Sequence, residues 1–488
     1  MSLRRPRAPL VVFGVLAALA LPSSTGAQSA FPSVRLVSPG GDVTLHRYGK
    51  RVILSPLPVW VAATGGDFEL RVSRPDYDTP VGIEQVDPAT GDERELPADT
   101  LDDWRGLAGF TQLIVTDADG NTIRDRSFTF CPNGWDRQRV DDSGPDVPHY
   151  PTFCSDWLSF FTRGMVWGID SGWAIRALGE SDAGVPSLRL PEGTYTFVVR
   201  VTDSYRELFD IAPEDGEVSL NVTVRDSRCR YCGYASASPA REAQAAEAVQ
   251  VPGVPDVDDP DPSTVPDLVA LPLWSMRTFN RHDRDYLGFA ATPWNAGPAP
   301  MVIEGFRQSG EAVMDAYQYF RDADGNVVGR AQVGTMEWDP RRGHHHWHFL
   351  QFARFTLTDA ADADVVRSRK QSFCLAPTNA IDLTVERASY SPWEGSGVST
   401  QCGSEDALWV REVLQTGWAD TYFQGIPGQS FNITRVPNGW YYAKIEVNPL
   451  GSLYETTTAN NVESRLLHLG GRPGQRTVLV TPWHGIEN

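Results

Sequence analysis

Short runs of alternating apolar and polar residues, broken every few positions by Gly, Pro and Asp, restrict this chain to β architecture. Phe68-Glu69-Leu70-Arg71-Val72 and Tyr195-Thr196-Phe197-Val198-Val199-Arg200-Val201 place every second side chain on one face, the period of a half-buried strand. From Phe31 to Val224 such runs recur at sandwich spacing. The expected fold is therefore mainly β, opening with an N-terminal Ig-like β-sandwich region of one or two domains over residues 28–232. Residues 233–265, including Val-Pro-Asp-Val-Asp-Asp-Pro-Asp-Pro, are acidic and proline-rich and read as an extended linker. A second β-rich domain is expected over residues 266–488. At 488 residues and 41% hydrophobic, the chain can bury more than one core.

The two halves echo each other. Leu190-Pro191-Glu192-Gly193-Thr194-Tyr195 opens a strand as Val436-Pro437-Asn438-Gly439-Trp440-Tyr441 does. Asp-Ala-Asp-Gly-Asn occurs at 117–121 and again at 322–326, but an EF-hand would need a glutamate where Phe128 and Val333 stand. Both copies are expected to be hairpin turns.

Residues 1–27 have the form of an export signal: Arg4, Arg5 and Arg7, an apolar run from Leu10 to Leu21, and small residues Thr25 and Ala27 before a cut. The mature protein is then secreted or extracellular, with no later segment apolar enough to span a membrane. The formal charge of −19 over the full chain repels nucleic acid and anionic lipid and concentrates cations, amines included. Nucleic acid is therefore excluded as a partner. Only three lysines, Lys50, Lys370 and Lys444, stand against 40 arginines. Six cysteines suit an oxidising compartment, and the expected pairs are Cys131 with Cys154, Cys374 with Cys402, and Cys229 with Cys232.

The most concentrated chemistry lies in Gly343-His344-His345-His346-Trp347-His348-Phe349. On a strand, His344, His346 and His348 share one face while His345, Trp347 and Phe349 take the other. Three imidazoles on one face can ligate copper, zinc or iron, and spacing alone does not choose among them.

With three further motifs the C-terminal region resembles the catalytic domain of lysyl oxidases, secreted copper amine oxidases. The shared elements are His344-x-His346-x-His348, Lys370-Gln371-Ser372-Phe373-Cys374-Leu375, Asp420-Thr421-Tyr422, and Val447-Asn448-Pro449 leading to Asn460-Asn461, in the family's order from about Pro266 to Leu469. The resemblance implies Cu(II) on His344, His346 and His348, and a lysyl tyrosylquinone built from Lys370 and Tyr422. It implies oxidation of a primary amine by O2 to an aldehyde, H2O2 and ammonia, with peptidyl lysine in an extracellular protein, small amines or polyamines as substrates. Asp420, beside Tyr422, is the candidate general base. The resemblance further implies Ca(II) at Asp267, Leu268, Glu455, Asn460 and Asn461, although Thr457 stands where the family usually offers a carboxylate. The chain also has fewer catalytic-domain cysteines than animal lysyl oxidases.

Two other classes compete with this reading. One is an extracellular β-sandwich binding or matrix protein that keeps a structural metal without catalysis. The other is a zinc hydrolase using the same three histidines with an open coordination position. Neither gives Lys370 and Tyr422 a task.

Overall fold

The computed structural model describes residues 31–182, 184–226, 254–341, 345–391 and 398–487. These residues form seven β-sheets, and the only α-helix among them is Asp203–Leu208. The expected export signal, the Cys229–Cys232 pair, residues 233–253 of the linker and His344 lie outside the described residues. No described helix is long and apolar enough to cross a membrane.

In the N-terminal region three sheets close over a common core that includes Val61, Leu70, Trp167 and Phe197. The alternation read in Gly193–Val201 is realised, with Tyr195, Phe197, Val199 and Val201 buried and their neighbours facing out. Each such side chain contributes roughly 1.5–3 kcal/mol on removal from water. The largest sheet pairs Glu217–Asp226 antiparallel with Gly193–Val201 and parallel with Asp42–Tyr48. Cys131 and Cys154 are joined. Both Asp-Ala-Asp-Gly-Asn segments turn hairpins, with the first Asp side chain accepting from backbone N–H groups two and four residues on. The echo between the halves also has a structural meaning. Tyr195 donates to the Pro191 carbonyl at 3.1 Å and Tyr441 to the Pro437 carbonyl at 3.0 Å, so each hydroxyl pins the turn that precedes its strand.

The C-terminal region holds four sheets. The six-stranded one runs in the order Ser372–Phe373, His346–Leu350, Val327–Asp339, Val313–Arg321, Met301–Phe306, Trp409–Leu414. A five-stranded sheet built on Ala353–Thr358 and Gly439–Val447 shares its core with the six-stranded one through Phe349, Phe355, Phe373 and Ile445.

The two regions are not held apart by a spacer. Asp156 accepts from Asn379 Nδ2 at 2.8 Å and from the Ala380 N–H at 3.2 Å. Gly164, the first residue of Gly164–Ile169, donates to the Ile381 carbonyl and accepts from the Leu383 N–H at 2.9 Å. A Cβ there would stand 2.1 Å from Asp382 Oδ1, so any side chain would have to displace the Asp382 and Thr384 side chains. Leu158 and Phe161 complete a shared apolar cluster with Leu271, Trp274, Ile381 and Ala419. The linker expected over 233–265 is likewise not extended where it is described. Residues 254–265 lie along the C-terminal region, with the Val257 N–H bonded to the Arg330 carbonyl, Asp256 paired with Arg330, and Val265 buried. Valines spaced through the acidic segment supply apolar anchors that a solvated spacer would lack.

Candidate functional site

Hydrogen bonding places the histidine strand between Val327–Asp339 and Ser372–Phe373, with His346 opposite Asp339, His348 opposite Glu337 and Phe349 opposite Phe373. Trp347 and Phe349 point into the core, as the alternation requires, while His346 and His348 share the other face with ring centroids 4.6 Å apart. The strand begins only at His346. His345, expected within it, instead takes a left-handed conformation at φ 54° and lies near Trp338. Its N–H bonds the Asp339 carbonyl, closing the turn that delivers the chain into the strand.

The buried His348 ring directs Nδ1 toward Ser372 Oγ at 3.1 Å and Asp339 Oδ2 at 3.4 Å. A histidine whose Nδ1 is held by a hydroxyl and a carboxylate keeps Nε2 for a metal, the arrangement that fixes ring orientation in metal sites. Among the described residues no three His, Cys, Asp or Glu side chains form a metal-binding group; His344, the third candidate ligand, is outside that set.

Lys370, Tyr422 and Asp420, 52 residues apart at the extremes in sequence, converge in the interior. Lys370 is 1% exposed, and its Nζ has no hydrogen-bond partner. That amine sits 4.9 Å from the centroid of the Tyr422 ring and 5.0 Å from that of Phe373. Burial pulls its pKa down to about 8, so a substantial neutral fraction exists near physiological pH. The other two lysines do not share this setting: Lys444 pairs with Asp362 at 3.0 Å and Lys50 is exposed.

The Tyr422 hydroxyl donates to Asp420 Oδ2 and lies 3.1 Å from the Cys374 carbonyl. Desolvation pushes the Asp420 carboxyl up to about 7 and raises the Tyr422 phenol well above its ordinary value. Backbone bonds hold this loop from both sides. Tyr422 exchanges N–H and C=O bonds with Ala291, Asp420 donates its N–H to the Pro293 carbonyl, and Gln429 Nε2 reaches the Tyr422 carbonyl at 3.1 Å. Edge-on packing of Phe373 against Tyr422, with centroids 5.0 Å apart at 81°, fixes the ring.

Cys374 and Cys402 are bonded, and the bridge ties the two halves of the site together. The Cys402 carbonyl accepts from the Trp347 N–H at 2.9 Å on the histidine strand, while that of Cys374 faces Tyr422.

Sequence reading missed Glu412. It is fully buried and accepts from the Phe349 N–H at 2.9 Å and the Leu375 N–H at 3.0 Å, stapling the histidine strand to the segment that follows Lys370. Burial raises its pKa well above the usual carboxylate range. The available signal was a lone acid in the otherwise apolar half of Trp409–Leu414.

The five residues expected to hold calcium are also brought together. Asn460 Nδ2 contacts both Asp267 oxygens at 3.1 and 3.2 Å, and Glu455 accepts from the Leu268 N–H at 3.2 Å and from Asn461 Nδ2 at 2.7 Å. The Oδ1 atoms of Asn460 and Asn461 are buried without hydrogen-bond partners. Orphaned amide oxygens beside carboxylates fit a hard cation.

The lysyl oxidase family model matches residues 321–474, which contain His344, His346, His348, Lys370, Asp420 and Tyr422. Lysyl oxidase homolog 4 of Mus musculus is 28% identical over 139 residues, covering 28% of this chain and 16% of that protein. Lysyl oxidase homolog 1 of Homo sapiens is 31% identical over 140 residues, covering 28% of this chain and 21% of that protein. Protein-lysine 6-oxidase of Rattus norvegicus is 30% identical over 127 residues, covering 26% of this chain and 27% of that protein. The chain thus spans about a fifth of the length of these relatives. A solved structure, dimeric latent PorU from Porphyromonas gingivalis, aligns with a TM-score of 0.10 at 9% identity over 93% of this chain and 34% of that chain, too low to bear on the fold. The β-rich segment that carries the lysine, the tyrosine and the histidine strand is thus a lysyl oxidase domain by its match over residues 321–474.

Proposed function

We propose that the protein is an exported, copper-dependent amine oxidase that converts a primary amine, O2 and water to an aldehyde, ammonia and H2O2. The observation that carries this reading is the buried, unpartnered Lys370 amine beside the face of Tyr422, whose hydroxyl is bonded to Asp420. Burying an amine without a partner costs several kcal/mol, so the arrangement requires a use. A binding or matrix protein has none for it, and neither does a zinc hydrolase.

His344, His346 and His348 would hold copper, which with O2 supplies the oxidising equivalents that turn the Tyr422 ring into a quinone. The residues of the chain then divide the remaining work. Asp420 accepts the hydrogen bond of the Tyr422 hydroxyl and takes its proton as the ring is oxidised. Lys370, neutral in part because it is buried, presents a free electron pair to the ring; bonding of Nζ to a ring carbon leaves the ring at the quinol level, and a second two-electron oxidation, with O2 reduced to H2O2, would give the lysyl tyrosylquinone. Phe373 and the disulfide limit the motion of both partners. In turnover Asp420 is the nearest carboxylate to the tyrosine and serves as the base for the substrate α-proton. Asp267, Leu268, Glu455, Asn460 and Asn461 would hold calcium and tie the start of the domain to its last strands. The basic, then apolar, residues 1–27 direct the chain out of the cell.

A peptide map of copper-loaded, aerated protein tests this reading. The peptides containing Lys370 and Tyr422 should elute as one linked species with quinone absorbance and phenylhydrazine reactivity. Recovery of both peptides separate and unmodified after full copper loading refutes it.

A further inference from the structure

One surface runs against the charge of the whole chain. Beside the site, Arg281, Arg367 and Arg369 line a groove of about 350 Å³ together with Tyr286, Ser430 and Asn432, and among the described residues no carboxylate contributes to its lining. Through His282 and Asn432 it opens into a second hollow of about 620 Å³, lined by Arg284, Arg435 and Thr434 with Asp283 as its one acid. Five exposed guanidiniums thus collect on one face of a protein whose formal charge is −19.

Their pairing is also poor by the standards of the rest of the surface. Arg281 and Arg284 stand directly opposite each other in the hairpin formed by Trp274–Arg281 and Arg284–Ala290, a like-charge arrangement that disfavours the sheet. Among the described residues, Arg281, Arg284, Arg369 and Arg435 have no carboxylate within ion-pair distance, and Arg367 reaches Asp364 only at 3.6 Å. Asp285, at the base of the hairpin, is buried and occupied by Asn280 Nδ2 and the Gly474 N–H.

The groove abuts the cofactor lysine. Arg369 precedes Lys370, and Gly428 in the groove wall, at φ +96°, lies so close that a Cβ would stand 2.9 Å from the Lys370 nitrogen. Ser368 Oγ donates to the Gly428 carbonyl at 2.5 Å and accepts from the Lys370 N–H at 3.1 Å, locking groove and site together.

We propose that this groove binds a run of carboxylates flanking the target lysine in a polypeptide substrate. The proposal rests on the amine oxidase reading for its lysine and on the groove alone for its acidic flank. Guanidiniums match carboxylates through paired N–H donors. A small acid would need one or two of them, whereas five spread along two confluent hollows fit a strand of several acidic residues. The stacked Phe279 and Tyr286 rings, with centroids 5.3 Å apart, offer the apolar wall that a peptide's remaining side chains need. The long-range field of the chain draws cations in general, and the groove selects among them those with an acidic neighbourhood.

The test uses the full-length protein. Binding of a fluorescein-labelled, glutamate-rich peptide carrying one lysine is followed by anisotropy, first without copper and then against kinetics of the copper-loaded enzyme. The peptide should bind about tenfold more tightly than a serine-rich control, and more weakly as salt is raised. The double variant Arg281→Ser with Arg284→Ser should lose that advantage, while Arg281→Lys with Arg284→Lys should keep most of it, which separates lost charge from lost folding. In the active enzyme, kcat/KM for the glutamate-flanked lysine should exceed that for the serine-flanked one by a similar factor. Equal binding of the two peptides, unchanged binding by the serine variant, capture of a sulfated polysaccharide in place of the peptide, or binding without any kinetic preference would each overturn the proposal. If no amine of any kind is oxidised, the oxidase reading fails, and the copper-free binding data still decide whether the groove recognises carboxylates.

Discussion

Replacing Lys370 with methionine should make the copper-free, uncross-linked protein more stable while removing its chemistry. The sign follows from the shift. Lys370 titrates at about 8 in the folded chain against an ordinary 10.5. Below pH 8 both folded and unfolded forms carry the proton, so the fold bears the full cost of a buried cation. Between 8 and 10.5 the unfolded chain binds more protons, stability rises with pH, and above that interval the cost is gone. At 1.36 kcal/mol per pH unit, the difference amounts to about 3 kcal/mol at pH 7. Methionine fills a similar volume against Phe373 and Tyr422 without a charge, so no cavity offsets the gain. Urea unfolding, followed by tryptophan fluorescence, should show Lys370→Met more resistant than wild type at pH 7, with the gap narrowing toward pH 10. A variant less stable than wild type at pH 7, or a gap that does not change with pH, would refute the reasoning that burial without a partner sets the state of this amine.

Other expectations follow from the same geometry. Asp420→Asn should cut amine-dependent H2O2 release by about 10²–10⁴, and in wild type the acid limb of the rate should rise with pH through about 7, where Asp420 becomes the free carboxylate; a limb unmoved in this variant argues against Asp420 as the base. Replacing Cys374 and Cys402 together by serine opens a loop with a sequence separation of 28 and should cost roughly 3–4 kcal/mol, read as a lower urea midpoint. Asp156→Ala leaves Asn379 Nδ2 and the Ala380 N–H without their acceptor and should cost about 1–3 kcal/mol, with faster hydrogen exchange in residues 379–383 as the local signature.

What was legible in the sequence was what depends on local period or on a family motif. The placement of Trp347 and Phe349 opposite His346 and His348 follows from strand alternation alone, and Lys370, Asp420 and Tyr422 were found through their motifs. His345 broke the alternation because the turn after Asp339 claims its backbone. Glu412 was not legible, since an acid in a strand looks solvent-facing until two N–H groups from segments 37 and 63 residues away converge on it. Asp156 resembled any surface aspartate for the same reason; its partners lie more than 200 residues further on. The arginines of the groove come from three distant segments, so no stretch of sequence displayed them as a group.

The junction at Asp156 and Gly164 also bears on what supports the site. Asn379–Ala380 pairs with Trp418–Ala419, and the chain passes directly from there to Asp420 and Tyr422. The N-terminal region supplies the surface against which these segments pack. An isolated fragment beginning near residue 266 would expose Ile381, Trp418 and Ala419 to water and would leave the following loop, with Asp420 and Tyr422, without that backing. The N-terminal region is, in this sense, a built-in support for the loop that carries Asp420 and Tyr422.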